Sequence, residues 1–497
     1  MSTELRTPEQ AAHWLRLRTL GTLRADSRSV QAGDAFLAWP GSATDARAFV
    51  PAALAAGATA CLIEHQGSAA LGLDMEDARV ASYPGLKAAA APIASAFFDQ
   101  PSASLQVLAI TGTNGKTSTA WWLAQALAAA GRRCAVVGTL GIGEPGRVVA
   151  NGLTTPDPVL LQHELRRLVD EGCVACAMEA SSIGLAESRL DGLHIHTAVF
   201  TNFTQDHLDY HGTMQAYWQA KARLFDWPGL RAAVINVDDP QGAELARELA
   251  RRSDLDLWTL SCEGPARLMA QALQVDGSGT RFQVRLGDQT ATVRVPVAGH
   301  YNVSNLLGVI AGLLSLGLDL NAAVTACQAI TPVPGRMESF GGDTEPLVVI
   351  DYAHTPDALQ QALQALRPLA AQRGGQLWVV FGCGGDRDRL KRPLMAAAAE
   401  RLADRLVLTS DNPRSEAPQD IVQAMLAGLT RAALAQVEID RARAITLALS
   451  QAQTADVVLV AGKGHEAHQE VQGQRLPFSD REQALRALQA RRQGVAA

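Results

Sequence analysis

Short apolar runs alternate with amphipathic segments along most of this chain of 497 residues. The apolar runs have the length of buried strands, and the segments between them have the helical period of about 3.6 residues. Strands that alternate with helices predict mostly parallel sheets whose two faces are covered by helices. The pattern falls into three units, and we expect domains at residues 1–103, 104–332 and 333–497.

The first unit has the pattern of a small α/β domain. Its predicted strands are 34–38 and 59–63, and its predicted helices are 46–56 and 86–98. Gly57 is a stop signal between two of these elements. Residues 99–104 are polar and contain a proline, which is typical of a linker.

The second unit repeats the strand–helix pattern over a longer stretch. Its predicted strands are 107–110, 135–138, 174–178, 198–201 and 232–236, and its predicted helices are 120–130, 158–169, 214–225, 241–251 and 302–316. Two alternating segments, 281–286 and 290–295, flank Gly287 and Asp288, which predicts a hairpin. We therefore expect an antiparallel edge or subsheet on an otherwise parallel sheet.

The third unit is a second α/β pattern that ends in a helix at 479–491. Its strands are predicted at 347–351, 377–381, 406–409 and 457–461. Polar or glycine-rich turns follow these strands, at 351–354, 382–386, 411–414 and 462–466. Ligands of open α/β sheets bind beyond the carboxyl ends of the strands, so the four turns predict one shared site.

Composition narrows the class of protein. The chain is 47% hydrophobic and 19% charged with a net charge of -6, so we expect a globular protein without a nucleic-acid partner. No apolar run approaches the roughly 20 residues of a membrane span, and the first residues lack the apolar core of a secretory signal. Seven scattered cysteines favour a reducing cytoplasm. Cys173 and Cys176 have the spacing of a zinc or redox pair, but their apolar setting favours a buried strand.

Residues 111–117, Thr-Gly-Thr-Asn-Gly-Lys-Thr, stand between a predicted strand and a predicted helix, which is the setting of a P-loop. Lys116 would then reach the outer phosphates of a nucleotide, and the Thr117 hydroxyl would hold Mg²⁺. The loop departs from the usual P-loop because Ile110 occupies the position of the first glycine, and Gly112 is offered instead. The alternative is an ordinary glycine turn that carries a lysine.

Other polar residues also follow predicted strands. Glu179 suits a nucleotide-bound Mg²⁺, although a surface or capping role is the alternative. Ser181 and Ser182 could equally serve as caps at the amino terminus of a helix, in place of a functional role. A turn after the next strand carries five residues for which a metal or phosphate role is favoured over a solvated loop: Asn202, Asp206, His207, Asp209 and His211. His194 and His196, just before that strand, are expected to be structural.

Several charged and amide side chains have more than one interpretation. Lys221 lies in a helical pattern, which on residues alone favours a surface lysine. Asn302 and Asn305 stand at the start of a predicted helix, where an asparagine can cap the helix or contact adenine. Arg336 is a candidate to bind phosphates. Asp351 and His354 are suited to bind a ribose or a water molecule. Three charges on separate turns together favour a zwitterionic ligand, although each alone is typical of a surface: Arg387, Arg414 and Glu466.

These segments resemble the Mur ligase family from end to end. The resemblance is carried by residues 111–117, 179–182, 201–209, 300–305, 335–338 and 351–356. Within the family, Asp411-Asn-Pro-Arg414, with 382–388 and 462–466, is similar to members that add meso-2,6-diaminopimelate. Relatives that add lysine lack the arginine of this tetrad.

The resemblance implies a three-domain α/β fold. Its parts are a small UDP-substrate domain, a central P-loop ATPase domain with a mostly parallel sheet and an antiparallel subsheet, and a Rossmann-like C-terminal amino-acid domain. It implies ATP-dependent amide formation on UDP-N-acetylmuramoyl-L-alanyl-D-glutamate through an acyl phosphate, releasing ADP and phosphate. The pathway implied is peptidoglycan synthesis, and with it cell shape and division. We expect a monomer that acts in the cytoplasm.

The resemblance also implies roles for individual residues. The implied catalytic residues are Lys116, Lys221, His207 and Arg336. ATP contacts fall to Gly112, Thr113, Asn114, Gly115, Lys116, Thr117, Ser118, Asn305, Arg336 and Asp351. Two Mg²⁺ ions are held by Thr117, Glu179, His207 and Lys221, the last carbamylated to N6-carboxylysine. The UDP-substrate is contacted by Ser27, Ser42, Ala43, Thr44, Asp45, Thr154, Thr155, Ser181, Glu187 and Arg189, and diaminopimelate by Arg387, Asp411, Asn412, Pro413, Arg414, Gly462 and Glu466.

The chain departs from the family pattern at three places. Glu187, Ile183 and Leu153 stand where members often have Gln, His and Asn. The contact assigned to Glu187 is therefore in question, and no role is carried to Ile183. Two alternatives are a folylpolyglutamate synthetase, disfavoured by the first domain and the tetrad, and a non-catalytic nucleotide-dependent regulator. The second is disfavoured by an intact Lys116, Glu179 and Lys221.

Overall fold

The structure is a computed structural model that describes residues 3–41, 44–276, 279–297, 299–342 and 344–493. Two of the residues expected to contact the uridine nucleotide, Ser42 and Ala43, lie outside these ranges. Within them, no helix is long and apolar enough to cross a membrane.

The amino-terminal part forms a five-stranded parallel sheet in the order β1-β5-β4-β3-β2. Its strands are β1 (Thr3–Glu4), β2 (Leu23–Arg24), β3 (Ala35–Ala38), β4 (Ala60–Glu64) and β5 (Val80–Tyr83). Its helices are α1 (Pro8–Arg16), α2 (Val50–Ala55) and α3 (Leu86–Phe97). The predicted strands at 34–38 and 59–63 are confirmed, whereas the predicted helix at 46–56 begins as a 3₁₀ turn, Ala46–Phe49.

The central part contains a ten-stranded sheet in the order β15-β14-β13-β12-β11-β10-β6-β9-β7-β8. Its strands are β6 (Gln106–Thr111), β7 (Cys134–Gly138), β8 (Gly141–Gly143), β9 (Ala175–Glu179), β10 (Thr197–Phe200), β11 (Ala232–Asn236), β12 (Asp256–Ser261), β13 (Leu268–Asp276), β14 (Gly279–Leu286) and β15 (Gln289–Val295). Its helices are α4 (Lys116–Ala129), α5 (Pro158–Asp170), α6 (Ser182–Ala186), α7 (Leu208–His211), α8 (Met214–Ala222), α9 (Pro240–Leu249), α10 (His300–Ser315) and α11 (Leu320–Cys327). The predicted hairpin is confirmed as β14 and β15, which form the antiparallel edge of this sheet.

Helices cover both faces of the central sheet because its parallel strands are apolar on both sides. Successive residues of β6 show this directly. Leu108 and Ile110 belong to one buried cluster, and Val107 and Ala109 belong to the cluster on the opposite face.

The carboxyl-terminal part contains a six-stranded sheet in the order β16-β17-β21-β18-β19-β20. Its strands are β16 (Glu338–Gly341), β17 (Leu347–Asp351), β18 (Leu377–Phe381), β19 (Arg405–Leu408), β20 (Ala435–Val437) and β21 (Val457–Ala461), and a separate hairpin is formed by β22 (His468–Val471) and β23 (Gln474–Pro477). Its helices are α12 (Pro356–Arg373), α13 (Lys391–Leu402), α14 (Pro418–Leu426), α15 (Arg441–Gln451) and α16 (Asp480–Arg492). All four strands predicted here are present, and three of them match the prediction residue for residue.

The register of the strands brings their polar ends together. In the central sheet Thr111 pairs with Phe200, and Glu179 pairs with Ile110, so the ends of β6, β9 and β10 lie at one edge. In the carboxyl-terminal sheet Ala461 pairs with Asp351 on one side and with Phe381 on the other. The turns that follow these strands are therefore neighbours, as the sequence predicted.

A buried ion pair ties two of these strand ends to the last helix. The Arg441 guanidinium donates to both carboxylate oxygens of Asp480, each at 2.7 Å, and both side chains are fully buried. It also donates to the Ser410 carbonyl, just after β19, and to the Ala461 carbonyl, at the end of β21. One guanidinium therefore sets the spacing of two turns at the predicted site.

We predict that Asp480→Ala lowers the free energy of unfolding by about 3–5 kcal/mol, because it leaves a buried guanidinium without its counter-ion. Urea denaturation with tryptophan fluorescence measures the change. The matched control is Glu482→Ala, since that carboxylate lies in the same first turn of α16 but is mostly exposed. Equal shifts in the two variants would contradict the prediction.

Candidate active site

A cleft of about 860 Å³ lies between the central and carboxyl-terminal sheets. It is lined by side chains from both, including Lys116, Glu179, Lys221, Arg336 and Asp351. Its size and its few convergent polar groups are typical of a ligand site.

The loop after β6 has the shape of a P-loop, and two glycines make that shape possible. Gly112 has a φ of +143°, and a Cβ there would collide with the Thr201 hydroxyl. Gly115 has a φ of +85°, and a Cβ there would collide with the Asn305 side chain. Ile110 is instead a fully buried strand residue, which is why this loop carries its first glycine at 112.

The segment after β10 holds the P-loop in place. The Asn114 N–H donates to the Asn202 side chain at 2.9 Å, and the Thr201 hydroxyl donates to the Asn114 carbonyl at 2.6 Å. The Thr113 N–H donates to the Asn202 carbonyl at 2.8 Å. The loop is therefore preorganised, with α4 beginning at Lys116 directly behind it.

Glu179 lies at the end of β9 and is buried against the start of α4. It accepts hydrogen bonds from the Thr117 hydroxyl at 3.0 Å and from the Thr139 N–H at 2.7 Å. Arg336, from the segment that leads into the carboxyl-terminal sheet, donates to the same Thr117 hydroxyl at 3.3 Å. A carboxylate, a hydroxyl and a guanidinium thus meet at the mouth of the P-loop.

Oxygen donors of this kind fit Mg²⁺, which keeps several waters and binds through one or two protein oxygens together with substrate phosphates. Thr117 Oγ1 and Glu179 Oε2 are close enough to ligate one ion. The described part of the chain holds no cluster of three or more His, Cys, Asp or Glu side chains that would bind a metal unaided. The donor set therefore suits a metal that arrives with a nucleotide.

Lys221 is almost fully buried, so the interpretation of a surface lysine is wrong. Its ammonium donates to the Gly112 carbonyl at 2.6 Å and lies 4.4 Å from the centre of the Tyr217 ring. Burial, and then the charge of Lys116, lower the pKa of Lys221 well below its usual value. Burial therefore acts against the charged form of this amine.

Lys116 curls over its own loop and donates to the carbonyls of Gly112 and Thr113 at 3.0 and 2.8 Å. Burial lowers its pKa, and the nearby Glu179 and Asp206 carboxylates oppose that change. The two lysines thus converge on the Gly112 carbonyl from opposite sides.

A carboxylate between two imidazoles faces the same cleft. Asp206 lies 3.4 Å from His207 and 3.8 Å from His354, which comes from the carboxyl-terminal sheet. Burial opposes ionisation of Asp206, but its hydrogen bond to His354 and the nearby positive charges hold its pKa below the usual value. Burial lowers the pKa of His207 to about 4, so this ring is neutral near pH 7.

The other predicted metal or phosphate ligands of this turn have different places. Asn202 holds the P-loop, His211 is hydrogen-bonded to the Ser182 hydroxyl at 3.0 Å, and Asp209 is exposed. Nor is there a zinc pair at Cys173 and Cys176: both are buried, Cys176 lies within β9, and burial raises the pKa of its thiol to about 12.

The predicted nucleotide contacts Asn305 and Asp351 are both occupied by internal hydrogen bonds. Asn305 donates to the Asn302 side chain at 3.3 Å. The two Asp351 oxygens accept the N–H groups of Met337 and Ala353, each at 2.8 Å. Asp351 therefore anchors the residue that follows Arg336.

The predicted UDP-substrate residues fall into two groups. Thr155, Ser181 and Arg189 join beside Glu179: the Thr155 and Ser181 hydroxyls are 2.9 Å apart, and Arg189 donates to the Thr155 carbonyl at 2.8 Å. Thr154 is hydrogen-bonded to Thr139 at 3.1 Å. The described residues of the second group lie in the amino-terminal part: Ser27, Thr44 and Asp45.

Ser181 is also the N-cap of α6, since its hydroxyl accepts the Gly184 N–H at 3.0 Å. Glu187, where the chain departs from the family pattern, forms an ion pair with Lys87 of α3 at 2.6 Å and accepts from the Tyr210 hydroxyl. It connects the amino-terminal and central parts.

The predicted diaminopimelate residues gather on the turns after β18, β19 and β21. The Asn412 amide donates to Glu466 Oε2 at 2.8 Å, and Lys463 donates to the same oxygen at 2.7 Å. Lys463 is fully buried and also donates to Asn412 Oδ1 at 2.9 Å. Sequence reasoning missed Lys463, although its place between two glycines in a strand-end turn was a signal.

Arg414 and Arg387 approach this cluster from its outer side. Arg414 has a φ of +52° and donates to Glu470 Oε2 at 3.1 Å and to the Gly385 carbonyl at 2.7 Å. Arg387 is exposed and donates to the Asp386 carbonyl at 3.0 Å. Of the two, Arg414 is the more firmly placed.

Two family models match this chain: the Mur ligase middle domain over residues 110–313, and the Mur ligase, glutamate ligase domain over residues 335–464. A relative from Acidovorax sp. (strain JS42), named UDP-N-acetylmuramoyl-L-alanyl-D-glutamate–2,6-diaminopimelate ligase, is 58% identical over 99% of both chains. A protein of the same name from Janthinobacterium sp. (strain Marseille) is 48% identical over 94% of both.

A solved structure of a ligase of that name is 37% identical, covers 95% of each chain and aligns with a TM-score of 0.65. The alignment therefore spans all three sheets described above. The P-loop, the buried carboxylate beside it and these matches lead to one conclusion: the chain belongs to the Mur ligase family.

Proposed function

We propose that this chain is the ATP-dependent ligase that joins meso-2,6-diaminopimelate to the D-glutamate of UDP-N-acetylmuramoyl-L-alanyl-D-glutamate. The observation that carries the proposal is the meeting of two sites from different sheets, since Arg336 of the first lies 3.4 Å from His465, the residue before Glu466 of the second. One is the phosphate site of Lys116, Thr117 and Arg336, and the other is the cluster around Glu466 and Arg414. Relatives that match nearly the whole chain bear the name of this activity.

The first step is phosphoryl transfer. A carboxylate oxygen of the substrate attacks the γ-phosphorus of ATP, the bond to the bridging oxygen breaks, and ADP leaves. This chemistry depends on positioning and charge neutralisation. Lys116 and Arg336 supply cations on two sides of the P-loop, and the loop N–H groups and the α4 dipole add to them.

Thr117 and Glu179 are the residues proposed to hold Mg²⁺, which supplies further charge neutralisation at the phosphates when bound. Thr139 orients the Glu179 carboxylate through its N–H, so that the Thr117 side of the carboxylate faces the nucleotide. His207, being neutral, presents a nitrogen that suits a metal.

The second step forms the amide bond. A neutral amine of diaminopimelate attacks the acyl carbon, the C–O bond to the phosphate breaks, and inorganic phosphate leaves. We propose that Glu466 binds an ammonium group of the amino acid and that Arg414 binds its distal carboxylate, with Arg387, Asp411, Asn412, Pro413 and Gly462 shaping the pocket. Ser27, Ser42, Ala43, Thr44, Asp45, Thr154, Thr155, Ser181, Glu187 and Arg189 are proposed for the UDP-linked substrate.

We propose further that Lys221 is carbamylated. Carbamylation requires an unprotonated amine, and burial favours that form here. The nitrogen bonds to the carbon of CO₂, a proton leaves, and the lysine becomes a carboxylate. That carboxylate would lie between Lys116 and His207, where it is suited to a second Mg²⁺.

Two alternatives are less well supported. A folylpolyglutamate synthetase gives no role to the Asp411–Arg414 tetrad. A nucleotide-dependent regulator gives no role to a lysine that is buried beside the P-loop. All seven cysteines are free thiols, which supports the proposal that the enzyme works in the cytoplasm, where we expect a monomer.

We predict that the purified chain, given ATP, Mg²⁺ and the UDP-linked dipeptide, releases ADP over many turnovers only when an amino acid is supplied, because without it the reaction stops at the acyl phosphate. With lysine and meso-diaminopimelate in equal amounts, mass spectrometry should find the diaminopimelate product. The control offers a folate with glutamate in place of both substrates and should yield nothing. A lysine product, or no ADP release with full substrates, would overturn the proposal.

We predict that Arg414→Ala raises the KM for diaminopimelate about 10- to 100-fold, because the variant loses a hydrogen bond between two charged groups. The KM for ATP should stay within about twofold of the wild-type value. Initial rates at varied concentrations of each substrate measure both constants. Arg431→Ala, which removes an exposed arginine from the segment before β20, should change neither. Equal changes in both KM values for Arg414→Ala would count against the assignment.

We predict that Lys221→Ala lowers kcat at least about 100-fold, because it removes a charge from the metal site. Formate should restore part of the activity, since it places a carboxylate in the vacated space, whereas chloride at the same ionic strength should not. Lys221→Arg keeps a cation but fills that space, so formate should not rescue it. Full activity of Lys221→Ala would refute the carbamate.

A further inference from the structure

We propose that His465 is a positioning residue that couples the amino-acid loop to Arg336 and, through Thr139, to Glu179. The inference rests on the proposed function and deepens it, because it assigns a role to a side chain between the two sites. His465 lies in the turn after β21, one residue before Glu466.

The Arg336 guanidinium is held on three sides. Its carbon lies 4.2 Å from the centre of the Tyr352 ring. One nitrogen donates to the Thr117 hydroxyl at 3.3 Å, and the other lies 3.4 Å from Nδ1 of His465. His465 is therefore the contact that approaches Arg336 from the amino-acid side.

The chemistry of the contact identifies the tautomer of His465. Burial, and then the charge of Arg336, lower the pKa of His465 to about 3, so the ring is neutral and has one donor and one acceptor nitrogen. Nδ1 faces a guanidinium, which only donates, and is therefore the acceptor. Nε2 is left to donate.

The partner of that donor is the backbone of Thr139, with which the ring is hydrogen-bonded. The Thr139 N–H already donates to Glu179 at 2.7 Å, so its carbonyl is the group that accepts from His465. A closed ring of contacts results, running through Arg336, His465, Thr139, Glu179 and Thr117. The ring joins the proposed metal ligands to the proposed phosphate cation.

The backbones of the two loops also touch, so they cannot move independently. A Cβ at Gly335 would collide with the His465 nitrogen, and a Cβ at Gly464 would come within 2.6 Å of the Gly335 carbonyl. Both glycines have a positive φ, +65° and +54°. A shift of residues 462–466 on binding an amino acid is therefore transmitted to Arg336 and the phosphate site.

The test compares His465→Ala with His465→Asn in the full chain. The kcat of the alanine variant should be about tenfold below that of the wild type, because the Arg336 guanidinium loses one hydrogen bond. Its KM values for ATP and diaminopimelate should stay within about twofold, since substrate contacts remain. Asparagine places an acceptor oxygen near the position of Nδ1 but has no group at the position of Nε2, so it should recover part of kcat. His196→Ala, a half-buried histidine at the start of the β10 region, should behave as the wild type.

A double-mutant cycle separates positioning from folding. If His465 acts through Arg336, then His465→Ala in an Arg336→Ala background should change kcat less than twofold or so. Additive losses, no recovery in His465→Asn while its thermal melt is unchanged, or wild-type kcat in His465→Ala would each overturn the inference. Failure of the proposed function has a different signature, because the wild type itself would then release no ADP.

Discussion

Three basic side chains and two carboxylates lie close to the P-loop, and the rest of the site depends on how their charges balance. Lys116, Lys221 and Arg336 lie around the P-loop, with Glu179 and Asp206 as counter-charges. Burial and mutual repulsion disfavour the ammonium forms of the two lysines. An incoming triphosphate relieves this repulsion, so electrostatics favour nucleotide binding at this site. A carboxylate made from Lys221 would relieve it as well.

The positions of the lysines in this chain are explained by the same balance of charge and burial. Only five of its 44 basic residues are lysines, and three of these, Lys116, Lys221 and Lys463, are at the proposed sites. Arginine stays charged at any accessible pH, whereas a buried lysine can give up its proton. A chain that otherwise uses arginine keeps lysine where a compact ammonium or a neutral amine is required.

Most of the fold could be predicted from the sequence, and the exceptions have physical causes. Strands buried on both faces are continuous apolar runs in the sequence. The predicted bounds of β11, β17, β18 and β21 therefore agree with the structure residue for residue. The two-residue strands β1 and β2 are too short to show any period. The burial of Lys221 could not be predicted from α8 alone, because the P-loop that covers it is more than 100 residues earlier. The family resemblance indicated its role but not its surroundings.

Contacts that cross between the sheets were beyond sequence reasoning for a related reason. His465 and Lys463 stand in a turn whose bounds were predicted. Their partners are Arg336, just before β16, Asn412, in the turn after β19, and Thr139 of the central part, just after β7. A Cβ at Gly335 would collide with the backbone of Gly464 and His465, and Arg336, the next residue, donates across to Thr117 of the central part. The phosphate site is therefore complete only at this spacing of the two sheets. It follows that a change in the spacing acts on Arg336 and Glu179 together, because both contact Thr117, so the geometry of the phosphate site depends on both sheets.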